Sequence, residues 1–252
     1  MKGKTMKTPT IDRKQDLVNR AKPYFHTGLY LPEKKSYVKG LLHEPTGLRS
    51  YQGNLEPVID HEGLFDLDRS AAWVTVNQYN ALVLNTSNML IADVDFGDQR
   101  LSRYAGAKNC EEVVKHLSEL HLLDRDLHPL DEFRSAGDFR FADQSYRVYR
   151  THSGCRVICA SICVPWEELA WTAERFLRFL RSDPEYIRLC RIQKCYRARL
   201  TPKPWRETDN ADCVCFRFST EGKKAEVAPE LAAQIALHDE MTLPDHQWAE
   251  LA

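Results

Sequence analysis

The 252-residue sequence contains no apolar run near the roughly 18 residues that a membrane-spanning helix needs. Its first residues, MKGKTMKTPTIDRKQD, are polar and lack the apolar centre of a secretory signal. Hydrophobic residues make up 43% of the chain and charged residues 28%, which is the composition of an ordinary globular protein. We therefore expect a cytoplasmic protein that does not bind membranes.

The eight cysteines include no CxxC pair, so their spacing does not match the usual structural zinc sites. A reducing compartment also disfavours disulfides. The segment CRVICASIC has the pattern of a strand, which would place Cys155, Cys159 and Cys163 on one face. Buried apolar thiols are the favoured interpretation, with an iron–sulfur cluster as the alternative.

The net charge of -1 excludes binding of a polyanion through overall composition alone. The charge is unevenly distributed, however. The segment from Arg181 to Arg206 is rich in arginine and lysine and contains only two acids, Asp183 and Glu185, before its last residue. A phosphate-bearing partner would bind at such a local excess of positive charge.

Periodicity predicts an α+β fold with a mixed, largely antiparallel sheet flanked by helices. Short strands are expected at 71–76, 81–85 and 89–95, and their close spacing favours antiparallel pairing. Residues 145–162 have the pattern of a hairpin that turns at Ser153-Gly154. Two further strands are expected at 195–201 and 213–219.

Four helices are predicted, over 109–123, 165–182, 183–194 and 228–241. The first is expected to be capped by Asn109, with Glu112 at the third helical position. Residues 1–35 are basic and are predicted to form a flexible N-terminal extension, and residues 36–252 a single α+β domain.

Asp93 and Asp95 end the apolar strand segment MLIADVD. Side chains two apart on a strand point to the same side, so the two carboxylates can hold one Mg²⁺ or Mn²⁺ between them. In phosphoryl and nucleotidyl transfer such ions bridge phosphates and activate the attacking oxygen. The alternative is that the two acids only mark the point where the strand enters a loop.

The hairpin turn in YRTHSGCRV combines backbone donors with His152, Ser153 and Arg156. Backbone N–H groups and guanidinium groups together suit a triphosphate. An ordinary hairpin with exposed arginines is the alternative.

The third candidate region is the strand segment CYRARLTPKPWR, in which Arg197, Arg199, Lys203 and Arg206 are interleaved with aromatic residues. This pattern suits the phosphate backbone and the stacked bases of a nucleic acid, and a solvated sheet face is the alternative. Asp183, upstream of this strand, is expected either to cap a helix or to supply a third metal-binding carboxylate.

In their order along the chain, the Asp-x-Asp strand, the Ser-containing turn and the late Asp before a basic strand resemble the archaeo-eukaryotic primase and primase-polymerase superfamily. The resemblance implies a catalytic core with an RNA-recognition-like sheet. It also implies metal binding by Asp93 and Asp95, triphosphate contacts from the turn, and Asp183 as a further catalytic acid. The second motif departs from the family's Ser-x-His, because here His152 precedes Ser153 and Arg156 follows.

We therefore predict a metal-dependent nucleotidyltransferase of primase-polymerase type that acts on nucleoside triphosphates and nucleic acid. The main alternative is a non-catalytic RNA- or DNA-binding protein that uses the basic strand 194–206. Asp-x-Asp also occurs in sugar-nucleotide glycosyltransferases and in haloacid-dehalogenase phosphatases. We rank both lower, because no α/β nucleotide-binding unit precedes Asp93 and because Asp93 lies far from the chain start.

Overall fold

The computed structural model describes residues 13–21, 28–31, 36–39, 71–77, 81–96, 107–126, 140–202, 215–222 and 227–243. These residues form antiparallel sheets flanked by helices, which confirms the predicted α+β class. Across the described helices, none has the length and apolar character that crossing a membrane requires.

The strands that the structure describes form three antiparallel sheets. A hairpin pairs β1 (Gly28–Leu31) with β2 (Ser36–Lys39). A three-stranded sheet has the order β3 (Ala72–Val76), β4 (Leu82–Thr86) and β8 (Tyr196–Arg199). A four-stranded sheet has the order β5 (Ile91–Asp95), β7 (Gly154–Cys159), β6 (Tyr146–Thr151) and β9 (Cys215–Glu221).

The described helices are α1 (Arg13–Ala21), α2 (Cys110–Ser118), α3 (Leu120–Asp126), α4 (Trp166–Phe179), α5 (Pro184–Gln193) and α6 (Pro229–Thr242). The cap predicted for α2 is confirmed, because Asn109 Oδ1 accepts a hydrogen bond from the backbone N–H of Glu112 at 2.9 Å. The single helix predicted over 109–123 is instead two helices. Two backbone bonds at Glu119, from its N–H to the carbonyls of Lys115 and His116, close α2 before α3 begins.

The pairing of β3 with β4 is antiparallel as predicted, but β5 does not continue that sheet. The chain turns between β4 and β5, where Thr86 Oγ1 accepts from the backbone N–H of Met89 at 3.1 Å. The carbonyl of Asn88 then accepts from the N–H of Val164 at 2.7 Å, outside the β3–β4 ladder. As a result β5 pairs with β7 in the four-stranded sheet.

Helices cover both faces of the four-stranded sheet. Tyr146 and Tyr149 lie on opposite faces of β6, because their positions differ by an odd number. On one face, Phe176 of α4 stacks on Tyr146 with ring centroids 5.5 Å apart. On the other, the hydroxyl of Tyr149 donates to Asp239 of α6 at 2.6 Å. Helix α6 therefore packs against the second face and contributes Asp239 to it.

The region predicted as a flexible extension contains α1 and β1, and Leu17 of α1 is buried in the hydrophobic core. The seven described cysteines are all free thiols, and six of them are buried. Cys155 and Cys159 share a face of β7, as predicted, whereas Cys163 lies beyond the end of that strand. The eighth cysteine, Cys213, lies outside the described residues.

Candidate functional site

The two predicted metal ligands lie at the end of β5. Ile91, Ala92 and Val94 are buried, whereas Asp93 is partly exposed and Asp95 is exposed. Positions two apart on a strand share a side, so both carboxylates lie on the same face of the sheet. The strand that leads to the pair is buried, whereas the two carboxylates are accessible. Both lie on β5, at one edge of the four-stranded sheet.

The hairpin turn lies directly beside this pair. Asp95 is opposite Gly154 in the β5–β7 register, and the backbone N–H of Phe96 donates to the carbonyl of Ser153 at 2.8 Å. A Cβ at Gly154 would lie 2.2 Å from the carbonyl oxygen of Val94, so only glycine allows this close approach. The turn itself consists of His152 and Ser153, which are both exposed, and Gly154 is already the first residue of β7.

Asp183, at the start of α5, lies against the same edge of the sheet. Its backbone N–H donates to the carbonyl of Asp93 at 2.9 Å, so the start of α5 lies against β5. Its side-chain Oδ1 accepts from the N–H of Glu185 at 3.0 Å, which confirms the predicted helix cap. The hydroxyl of Tyr186 fixes this contact, because it donates to the carbonyl of Ile91 at 2.8 Å and accepts from the N–H of Arg197 at 3.2 Å.

Arg156 lies opposite Asp93 in the register and is only 3% exposed. Its Nε is 3.8 Å from Asp93 Oδ1, an ion pair that is too long for a hydrogen bond. Its Nη1 donates to the carbonyl of Arg199 at 3.1 Å and lies 3.1 Å from Nε2 of His238. The predicted triphosphate contact Arg156 is therefore a buried residue beside Asp93, whereas His152 and Ser153 are at the surface.

A buried ionic cluster adjoins Arg156 and was not foreseen from the sequence. Asp239 Oδ1 accepts from the hydroxyl of Tyr149 at 2.6 Å and lies 3.0 Å from His238 Nδ1. Asp239 Oδ2 accepts from Arg147 at 2.8 Å, and Arg217 lies 3.7 Å away. The cluster thus connects β6, β7 and β9 to α6.

Burial and hydrogen bonding set the protonation states in this cluster. Burial lowers the pKa of His238 below its ordinary value, so the imidazole is neutral at neutral pH. Burial alone would raise the pKa of Asp239, but hydrogen bonds from His238 and Tyr149 and the charge of Arg147 leave that pKa below its ordinary value. A partial sequence signal exists, because His238 and Asp239 lie between the apolar residues Leu237 and Met241, and a buried His-Asp pair requires polar partners.

The basic strand β8 alternates as predicted, with Tyr196 and Ala198 buried and Arg197 and Arg199 partly exposed. Arg197 Nε donates to Oδ1 of the buried Asn85 at 3.2 Å. The side chain of Arg197 is therefore held against β4. Two of the predicted nucleic-acid contacts, Lys203 and Arg206, lie outside the described residues.

No group of three or more His, Cys, Asp or Glu side chains within the described residues is arranged to hold a metal ion. The pair Asp93 and Asp95 nevertheless fits a magnesium-type ion. Mg²⁺ commonly binds one or two carboxylates and completes its shell with water and substrate phosphates, whereas a dedicated protein cage is uncommon. The donor set at the end of β5 fits an ion that binds together with a phosphate-bearing substrate.

No protein-family model matches the chain, and neither a curated protein nor a solved structure matches it. The chemistry of the residues at the end of β5 is therefore the basis on which a function can be inferred.

Proposed function

We propose that the protein is a cytoplasmic, metal-dependent nucleotidyltransferase of primase-polymerase type, acting on nucleoside triphosphates and nucleic acid. One observation carries the proposal. The paired carboxylates of β5, the His152-Ser153 turn and the start of α5 at Asp183 are joined at one sheet edge by two backbone hydrogen bonds, of 2.8 and 2.9 Å. These regions are distant in sequence, and each has a chemistry that suits phosphate transfer.

Asp93 and Asp95 would hold Mg²⁺ or Mn²⁺, which when bound stabilises the attacking and leaving oxygens of an in-line displacement. The exposed turn offers Ser153 and His152 as donors to the triphosphate. The guanidinium of Arg156 adds positive charge beside Asp93. Asp183 orients the N-terminus of α5 towards the same edge through its cap, and its second carboxylate oxygen is the candidate third metal contact.

The order of elements supports an RNA-recognition-like core, in which two parallel strands enclose a third that is antiparallel to both. The chain passes through β5, the helices α2 and α3, β6, β7, the helices α4 and α5, and β8. With two helices in each crossover, this follows the β-α-β-β-α-β order of ferredoxin-like folds. In the sheet, β7 lies between β5 and β6 and is antiparallel to each. The hydroxyl of Tyr186 bridges the carbonyl of Ile91 and the backbone N–H of Arg197, which supports β8 lying beside β5, on the edge that does not pair with β7.

A non-catalytic nucleic-acid-binding protein is the second candidate, and the capping role of Asp183 favours it. The carboxylate that would complete a three-acid site already binds the backbone of α5. In that case Arg197 and Arg199, with Lys203 and Arg206, would bind phosphates and the acids of β5 would have no part in chemistry.

Incorporation of a labelled nucleotide on a single-stranded template, with Mg²⁺ or Mn²⁺, separates the two candidates. If the protein is the proposed enzyme, Asp95→Asn should abolish metal-dependent incorporation. The control Glu119→Gln, which removes a carboxylate at the end of α2, should not. If the protein only binds nucleic acid, no variant should incorporate nucleotides. In that case Asp95→Asn should leave the nucleic-acid affinity unchanged or raise it. If the unmodified chain shows no incorporation and no metal-dependent triphosphate binding, the enzyme proposal is refuted.

A further inference from the structure

The guanidinium of Arg156 is unevenly bound. Its Nη1 has two acceptors, the carbonyl of Arg199 and Nε2 of His238. Its Nε is buried and has no hydrogen-bond partner among the residues that the structure describes, and it faces Asp93 Oδ1 across 3.8 Å. A buried donor beside a carboxylate normally closes to a charge-assisted hydrogen bond of about 2.7–2.9 Å. A guanidinium held on the side away from Asp93 would account for this gap.

His238 is suited to hold it there. The carboxylate of Asp239 can only accept, so the 3.0 Å contact to His238 Nδ1 places the imidazole proton on Nδ1. Nε2 is then an acceptor and points at Arg156 Nη1. Asp239 is itself fixed by Tyr149 and Arg147, so the imidazole cannot easily turn.

We infer that His238 is a positioning residue that restrains the Arg156 guanidinium and thereby leaves the Asp93 carboxylate free to bind a divalent cation. The inference rests on the proposed function, because it takes Asp93 as a cation ligand. Without the acceptor on His238, a buried N–H of Arg156 would lose its partner, and Asp93 Oδ1 is the charged acceptor on the opposite side. The guanidinium would close on Asp93 and compete with the cation.

Two polar substitutions of His238 form a matched pair. In His238→Gln the amide oxygen is the same number of bonds from Cβ as Nε2, so the acceptor for Arg156 is kept. In His238→Asn the amide reaches only as far as Nδ1, so the contact with Asp239 is kept and the acceptor for Arg156 is lost. Both replace the imidazole with an amide, so a purely structural role predicts similar effects of the two.

The measurement is Mn²⁺ affinity, from electron paramagnetic resonance of free Mn²⁺, with Asp93→Asn as the reference for a destroyed site. We expect His238→Asn to weaken Mn²⁺ binding by about tenfold or more, the usual effect of losing an outer partner of a metal ligand. His238→Gln should stay near the unmodified chain. If the two variants bind Mn²⁺ equally well, whether as tightly as the unmodified chain or more weakly, the inference is overturned.

A crystal structure of His238→Asn without metal gives a second readout that does not depend on the proposed function. The distance from Arg156 Nε to Asp93 Oδ1 should shorten from 3.8 Å to hydrogen-bonding range. An unchanged distance would show that His238 does not restrain the guanidinium. Failure of the unmodified chain to bind Mn²⁺ would instead refute the proposed function, and the distance would still decide the role of His238.

Discussion

The buried His238 should make stability depend on pH in a defined window. The folded chain resists protonation of this residue, because burial, first of all, lowers its pKa below the ordinary value of 6.5. Arg156 and Arg147 act in the same direction, whereas Asp239 opposes them, and the neutral Tyr149 packs against the ring. In the unfolded chain the same imidazole takes up a proton as the pH falls through its ordinary value.

The unfolded state therefore binds more protons than the folded state below that pH. Stability must fall as the pH falls, by about 1 kcal/mol per pH unit, until the pH reaches the folded pKa of His238. Asp239 stays ionised in this window, because its pKa is also lowered. His238→Asn removes the titrating group and should flatten this part of the profile.

Urea unfolding of both chains, from about pH 7.5 to about pH 5, measures this difference. The comparison isolates the contribution of His238, because the two chains differ at that residue alone. We expect the free energy of unfolding of the unmodified chain to decline more steeply than that of His238→Asn. Parallel profiles would refute the assignment of a buried, neutral His238.

Substitutions at three further positions test the packing around the site. Gly154→Ala should cost about 1–3 kcal/mol in urea unfolding, because its Cβ would meet the carbonyl of Val94 at 2.2 Å, and a stability equal to that of the unmodified chain would contradict the close approach. Asp183→Ala should lower the free energy of unfolding by about 0.5–2 kcal/mol, because the cap of α5 is lost. Asp183→Asn keeps the cap and should be as stable as the unmodified chain. If Asp183→Asn also retains full metal-dependent incorporation, Asp183 is a cap alone. Tyr149→Phe removes the 2.6 Å hydrogen bond to Asp239 and should cost about 1.5–3 kcal/mol, and a negligible change would show that the buried carboxylate does not depend on this hydroxyl.

Much of the secondary structure was predictable because it is set by local chemistry. Asn109 and Asp183 both cap helices through side-chain oxygens, as their positions before helical patterns indicate. Alternation in β8 separates Tyr196 and Ala198 from the partly exposed arginines. These features need only a few neighbouring residues, so a single sequence contains them.

The arrangement of the site depends on pairing between distant segments, which the local pattern does not contain. The sequence indicated that Asp93 and Asp95 share a side of one strand, but it did not indicate that β5 leaves β4 and pairs with β7. The contact between Arg156 and His238 joins residues 82 positions apart. Neither residue has a local pattern that names its partner, so the ionic cluster was found only from the structure.

The most direct test of the central claim is to locate Mn²⁺ by the line broadening it causes in amide NMR spectra, in the presence of a nucleoside triphosphate. A metal–nucleotide site at the end of β5 predicts selective broadening of the signals of Val94, Ser153 and Asp183, which adjoin the carboxylates of β5, and the loss of this broadening in the Asp93→Asn variant. Broadening centred elsewhere, or broadening that persists in Asp93→Asn, would contradict a metal–nucleotide site at the end of β5.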